Sequence, residues 1–292
     1  NEKNNKFFLK SYTVYSMTLM VTMLFWGYIG VDGRSRLSAS SNANGDALAL
    51  LYGIFCILIL FNSKKMSRFI LLMGMIGLYI YSILLTGSRK AFLAAVLLII
   101  LWFVLVFRRY WTGYSSRNKI LSIFVLLVIL ITSMINYIPY FLESTTYIRL
   151  TGKGYSLFGN ETRSGMYKEA FYFFYNNPFF GIGFDHFRLL SSYGVYSHST
   201  YAEIISTTGI IGTLIYFSAY FLIVYNLLKI YIKRKGNDIS IVSLQYLVLM
   251  LVMLALGFGV IHFYRINDSI MFALMISFYY TEKTNLLKEN YV

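Results

Sequence analysis

Charge is scarce in this chain. Only 13% of its 292 residues are Asp, Glu, Lys or Arg, against roughly 25% in soluble domains. With 58% hydrophobic residues and a mean hydropathy of +0.61, the composition argues against a soluble enzyme. Cysteine is rarer still. Cys56 is the single one and lies inside an apolar block, which excludes an internal disulfide and any thiolate metal site. The 12 acids are scattered, with no Asp-x-Asp, His-x-x-x-His or Glu-x-x-His spacing, so no metal is expected. A phosphate-cradling G-x-x-x-x-G-K loop is also missing. The chain begins at Asn1 and has no signal-peptide cleavage site. A processed or shortened start is the expectation.

What is present is long apolar runs. They predict eight membrane spans, at about 11–31, 46–61, 68–85, 90–107, 120–138, 203–231, 240–261 and 268–281, each near the roughly 20 residues a crossing needs. The fold class expected is therefore all-α: a polytopic membrane protein forming a single membrane domain over 1–292. No Asp, Glu, Lys or Arg falls in the interior of a predicted span, which argues against proton or ion transport.

The net charge of +14 is unevenly distributed. Loops on one side hold 16 basic and four acidic residues, a net of +12; the other side nets +2. Lys and Arg favour cytoplasmic loops. Both ends of the chain are thus expected inside, and the positive charge is a topology signal and a contact with anionic lipid. Basic clusters interleaved with aromatics are missing, so no nucleic-acid partner is expected.

One external loop, about 139–202, is far longer than the others. Loops of that length are usually functional or disordered, and its aromatic content favours function. Within it TRSGMYKEAFYFFYNNP reads as an interfacial amphipathic helix. Thr162 is expected to cap it and Asn176, Asn177 and Pro178 to end it. Met166, Tyr167, Ala170, Phe171 and Phe174 form its apolar face, and Arg163 shares that face one turn before Tyr167.

The loop closes on SHSTYAEIISTTGIIGT, residues 197–213. Thr200 and Glu203 have capping-box spacing, which predicts a helix start near Tyr201. His198 lies just before that start. Gly209 and Gly212 are expected to let another helix approach. His186, His198 and His262 all fall on the external side, as do Arg89 and Arg163. Arg89 sits in a Gly-Ser-Arg break between spans, where a guanidinium can snorkel to headgroups or grip a phosphate through two parallel hydrogen bonds.

These motifs together resemble the bacterial O-antigen ligase family and its relatives, the O-antigen and capsular polysaccharide polymerases. The resemblance covers about Arg34 to Gly212, with a ligase-like core of about 34–215. It rests on His198-Ser199 with Gly209 and Gly212, on TGSRKAFLAAV at 86–96, and on RSGMYKEAFYFFYNNPFFGIGFDHF at 163–187. RSRLSASSNANGDALAL at 34–50 resembles the first external loop, with Asn42-Ala43-Asn44 where the family often has Asn-Pro-Asn. Family members carry further spans ahead of this region, so N-terminal helices are expected to be missing here.

The resemblance implies a metal-independent glycosyltransferase of the bacterial cytoplasmic membrane, with no cofactor and with its site on the external side. Its donor would be an undecaprenyl-diphosphate-linked oligosaccharide. Arg89 and Arg163 match the family's functional arginines, and His198 its essential histidine, as general base or as diphosphate contact. An unperturbed histidine, with a pKa of about 6.5, suits proton transfer near neutral pH. Arg34, Arg36, Asn44, Ser88, His186, Ser199 and Arg265 are candidate substrate contacts. Membrane lipids, a chain-length regulator and a flippase of the same pathway are the expected partners. Polymerase is slightly favoured, and a ligase acting on lipid A core or another acceptor is the alternative. A flippase or permease would need polar residues lining a path at mid-membrane, where only scattered Ser, Thr, Asn and Gln occur. A non-catalytic scaffold would leave Arg89, Arg163 and His198 dispensable.

The charge asymmetry generates a direct test of topology. In a Cys56→Ser background, a cysteine introduced as Ser116→Cys should resist an impermeant thiol reagent on intact cells and react after lysis. Labelling on intact cells would reverse the assigned orientation.

Overall fold

The computed structural model describes residues 2–31, 33–61, 63, 65–107 and 158–289. The expected span at 120–138 and the first part of the long loop lie outside the described residues. The chain divides into two compact units, Asn1–Gly154 and Tyr155–Val292.

The first unit opens with α1 (Glu2–Trp26). A small antiparallel hairpin follows, β1 (Tyr28–Ile29) and β2 (Ser35–Arg36), pairing Tyr28 with Arg36 and Ile29 with Ser35. This hairpin is a small departure from the all-α expectation. Three helices complete the described part: α2 (Ala43–Leu60), α3 (Met66–Leu85) and α4 (Arg89–Leu101), which continues as π-wound turns over Trp102–Phe107. α2 is apolar on all sides, as a helix surrounded by partners must be. Its residues from Ala47 to Leu58 are all buried, against α1, α3 and α4. Between α1 and α3, the hydroxyls of Ser16 and Tyr79 share a buried hydrogen bond of 2.8 Å.

The second unit holds α5 (Phe158–Asn176), α6 (Phe187–Leu190), α7 (Thr200–Lys233), α8 (Asp238–Leu256), a 3-10 turn (His262–Tyr264) and α9 (Ile266–Glu289). α7 is its spine and packs on α5, α8 and α9. α5 starts at Phe158, so Thr162 lies inside the helix rather than capping it. Its buried face is Met166 and Ala170, joined by Tyr167 and Phe173, against Phe187 and Ala202. Phe171, assigned to that face from the sequence, is 59% exposed. The core needs the i, i+4, i+7 stripe of Met166, Ala170 and Phe173, and Phe171 lies beside it.

Five helices among the described residues are long and apolar enough to cross a membrane: Ala43–Leu60, Ser67–Leu85, Arg89–Val106, Thr200–Lys233 and Asp238–Leu256. α1 and α9 occupy the first and eighth predicted positions but fall outside this group. Lys10 and the hydroxyls of Ser11, Thr13, Ser16, Thr18 and Thr22 dilute α1, and in α9 Asp268, Glu282 and Lys283 leave an apolar stretch too short for a full crossing. Among the described residues, five of the eight predicted spans meet this criterion.

α7 is broken in its first third. Gly209 has φ 63° and ψ −165°, a conformation essentially restricted to glycine. Such a break strands carbonyls before it and N–H groups after it. The segment after α5 takes up both sets. Ile182 N donates to Ser206 O at 3.0 Å and Gly183 N to Thr207 O at 2.9 Å. In the other direction Ile210 N donates to Pro178 O at 2.8 Å and Ile211 N to Phe179 O at 3.3 Å. A loop backbone, not a second helix, is what comes close to Gly209. A Cβ there would lie 2.5 Å from the Phe179 carbonyl. Gly212 serves a different need: a Cβ at that position would collide with the Thr208 side chain one turn earlier.

Gly209→Ala therefore meets a forbidden backbone and a backbone clash together. It should destabilise the protein by at least about 2 kcal/mol, read as a lowered melting temperature in detergent. Gly212→Ala needs only a shift of one side chain and should cost less. Equal, small effects would show that the break is not held as described.

Candidate functional site

In the first unit the Gly-Ser-Arg break is shaped by local bonds. α3 ends at Thr86, whose hydroxyl donates to Ile83 O at 2.6 Å and accepts from Ser88 N at 3.2 Å. Gly87 adopts φ 64°, which lets the chain reverse. Ser88 is buried and is the N-cap of α4 without a side-chain capping bond. Arg89 is the first residue of α4 and half-buried. A cation there opposes the helix dipole, at a cost of roughly 0.3–1 kcal/mol, so helix stability does not explain it.

The first external loop is locked to this turn. Arg34 donates from Nε to Thr86 O at 2.6 Å and from Nη2 to Asn44 Oδ1 at 2.8 Å. Asn42 caps α2, its side chain accepting from Asn44 N at 2.9 Å. Arg34 and Asn44 thus act as a brace between the loop and the Gly-Ser-Arg turn. Arg36 is half-buried on β2.

In the second unit the sequence Ser197-His198-Ser199 forms the entry to α7. His198 is half-buried with φ 59°, left-handed backbone that is rare outside glycine. Its flanks are pinned. Ser197 N donates to Glu203 Oε2 at 2.8 Å, and Ser197 Oγ donates to Ser199 O at 3.1 Å. Ser199, not a residue nearer Tyr201, is the N-cap; its Oγ accepts from Ala202 N at 3.4 Å and donates to Gly257 O at 3.2 Å. Thr200 N donates to Gly257 O and Val260 O, and Thr200 Oγ1 to Val260 O at 2.7 Å. The expected capping box of Thr200 and Glu203 does not form, because the turn after α8 claims Thr200. The hydroxyl of Ser199 is likewise spent on the fold.

Aromatic rings and acids surround this entry. Tyr196 meets the His198 ring edge-on at 6.5 Å and packs on Tyr264 at 5.2 Å. Tyr264 OH donates to Asp185 Oδ1 at 3.5 Å, and Asp185 is paired with Arg188 at 2.6 Å. Burial, then the negative charges of Glu203 and Asp185, push the Tyr264 phenol up to about 12. It therefore stays a hydrogen-bond donor at neutral pH. Arg163 is half-buried on α5, one turn before Tyr167, whose hydroxyl donates to Phe258 O at 3.0 Å. His186 is exposed, with Nδ1 2.9 Å from Phe184 O, and Arg265 is half-buried at the end of the 3-10 turn.

His262 has a different place. It is buried, 3.0 Å through Nδ1 from Asp268 Oδ2, and donates from Nε2 to Met253 O at 2.7 Å. A carbonyl only accepts, which fixes the proton on Nε2. The pair lines a largely apolar cavity of about 310 Å³ between α7 and α9, but its polar atoms are turned on each other.

Glu203 was not singled out as functional from the sequence. It is fully buried, and its Oε1 has no hydrogen-bond partner among the described residues. The one sequence signal was a carboxylate at the mouth of an apolar helix, five residues after His198.

A family model described as O-Antigen ligase matches residues 74–217. That segment contains Ser88, Arg89, Arg163, His186, His198, Ser199, Gly209 and Gly212. Arg34, Arg36, Asn44 and Arg265 lie outside it. No curated protein matches the chain.

The brace in the first unit is testable apart from activity. Arg34→Ala removes two charge-assisted hydrogen bonds and should lower stability by on the order of 2 kcal/mol. Asn44→Ala should cost less, since one of the two remains. Thermal unfolding in detergent gives both values. An Arg34→Ala protein as stable as the parent would remove the brace from the account.

Proposed function

We propose, from the match of residues 74–217 to a family model described as O-Antigen ligase, that the chain is a membrane glycosyltransferase taking its glycan from an undecaprenyl-diphosphate donor at the outer face of the bacterial cytoplasmic membrane. The acceptor is assigned as a second lipid-linked glycan, which makes the protein a polymerase. A ligase would run the same chemistry on a lipid A core or other acceptor.

The observation that carries this proposal is the entry to α7. A histidine stands on left-handed backbone, held on both flanks by buried hydrogen bonds. Strain of this kind costs of order 1–3 kcal/mol and persists where the surroundings over-determine it, typically at functional sites. The histidine lies inside the matched segment.

The proposed step is a single displacement. The acceptor hydroxyl oxygen bonds to the anomeric carbon of the donor sugar. The bond from that carbon to the diphosphate oxygen breaks. His198 takes the hydroxyl proton, and the lipid diphosphate leaves with the electron pair. Negative charge grows on the diphosphate as the bond breaks, and fixed cations there stabilise the transition state. Arg89 and Arg163 are assigned that role, each able to hold two phosphate oxygens in parallel.

His198→Ala should lower transfer by about 10²–10⁴-fold, the usual contribution of a positioned proton-transfer group. Cells carrying it should accumulate single lipid-linked units at normal membrane levels of the protein. Arg89→Lys should also be severe, because lysine keeps the charge and loses the two-pronged contact. Polymer or ligated product near the parent level in the His198→Ala strain would end the catalytic assignment.

A further inference from the structure

We propose that Glu203 is the positioning residue for His198: its buried carboxylate, by holding the Ser197 N–H, fixes the left-handed backbone from which the imidazole projects. The inference rests on the reading of His198 as the residue that acts in transfer.

Three observations lead to it. First, Glu203 is not needed as a cap. The N-cap of α7 is Ser199, whose hydroxyl serves Ala202 N, while Thr200 N is served by Gly257 O and Val260 O. Ser199 N lies 3.4 Å from Ser197 Oγ. Glu203 reaches past all of these to Ser197 N at 2.8 Å. That N–H belongs to the residue just before His198.

Second, the arrangement is expensive. Glu203 is 0% exposed, and one carboxylate oxygen has no hydrogen-bond partner among the described residues. Burying a carboxylate without full hydrogen bonding is costly, and an unsatisfied buried group calls for an explanation. A neutral acceptor would hold Ser197 N–H at lower cost. The helix N-terminus recovers only part of that penalty.

Third, the two strained features are adjacent. His198 holds φ 59°. The residue on one side of it is tied to the Glu203 carboxylate, and the residue on the other is the cap of the same helix turn. Releasing the carboxylate frees one flank only. The helix itself stays anchored through Ser199 and Thr200 to the turn after α8. The expected consequence is a loose histidine on an intact helix.

The test uses the purified full chain in nanodiscs with a lipid-linked glycan. Glu203→Ala should lower kcat by about 10²-fold and leave KM for the donor within about threefold. Glu203→Gln keeps an acceptor for Ser197 N and should recover to within about tenfold of the parent. Since Glu203 acts through His198, the double variant His198→Ala/Glu203→Ala should be no slower than His198→Ala alone. Amide hydrogen exchange read on the peptide spanning 196–200 should speed up in Glu203→Ala and stay slow in Glu203→Gln.

A double variant slower by the product of the single effects would overturn the proposal, as would unchanged exchange in Glu203→Ala. If the parent protein transfers no glycan, the functional reading fails, and the exchange comparison alone then decides the tether. Faster exchange in the alanine variant only would uphold it, and equal exchange in both variants would refute it.

Discussion

The second unit depends on a backbone exchange between a broken helix and a loop. At Gly209 α7 gives up its own hydrogen bonds, and residues 178–183 supply replacements in both directions. Unpaired backbone groups in an apolar setting cost several kcal/mol each, so this register admits little slip. It fixes where α5 ends relative to α7. It also sets the start of the segment that carries Asp185, Tyr196 and finally His198 to the head of the same helix. One glycine conformation thereby places the candidate histidine.

In a chain so poor in charge, the polar groups at the described turns are mostly consumed by structure. Arg34 braces a loop against the Gly-Ser-Arg turn. Ser199 and Thr200 tie α7 to the turn after α8. His262 is satisfied by Asp268 and Met253 O. Arg89 opens α4, at a helix end that disfavours a cation. His198 stands on backbone its residue type rarely adopts. Both features are physical costs, and both fall within the segment that matches the O-antigen ligase family model.

Much of this was legible in the sequence. Apolar runs located the helices, and the Asn-Pro turn marked the end of α5 at Asn176. His198, Gly209 and Gly212, whose spacing carries the resemblance, lie within the segment that matches the family model. What was not legible depended on tertiary partners. The glycine spacing suggested helix packing, but only the fold shows that Gly209 breaks the helix to admit a loop. Thr200 and Glu203 had the right separation for a capping box, yet the Val260 carbonyl outcompeted Glu203 for Thr200. That left Glu203 to reach Ser197 instead. The length of α5 was underestimated, because Thr162 looked like a cap and the helix runs back to Phe158. Polar residues in α1 and charged residues at both ends of α9 separate helix formation from the strength of the membrane signal.

Glycosyl transfer from a lipid diphosphate can be read out in a reconstituted system. The purified protein is placed in liposomes with an undecaprenyl-diphosphate-linked repeat, with and without a lipid A core acceptor, and the products are resolved by size. The account predicts a ladder of longer lipid-linked glycans with the repeat alone, together with release of undecaprenyl diphosphate. Product only when the core acceptor is present would make the protein a ligase by the same chemistry. No glycan transfer and no released lipid diphosphate under either condition would contradict the account.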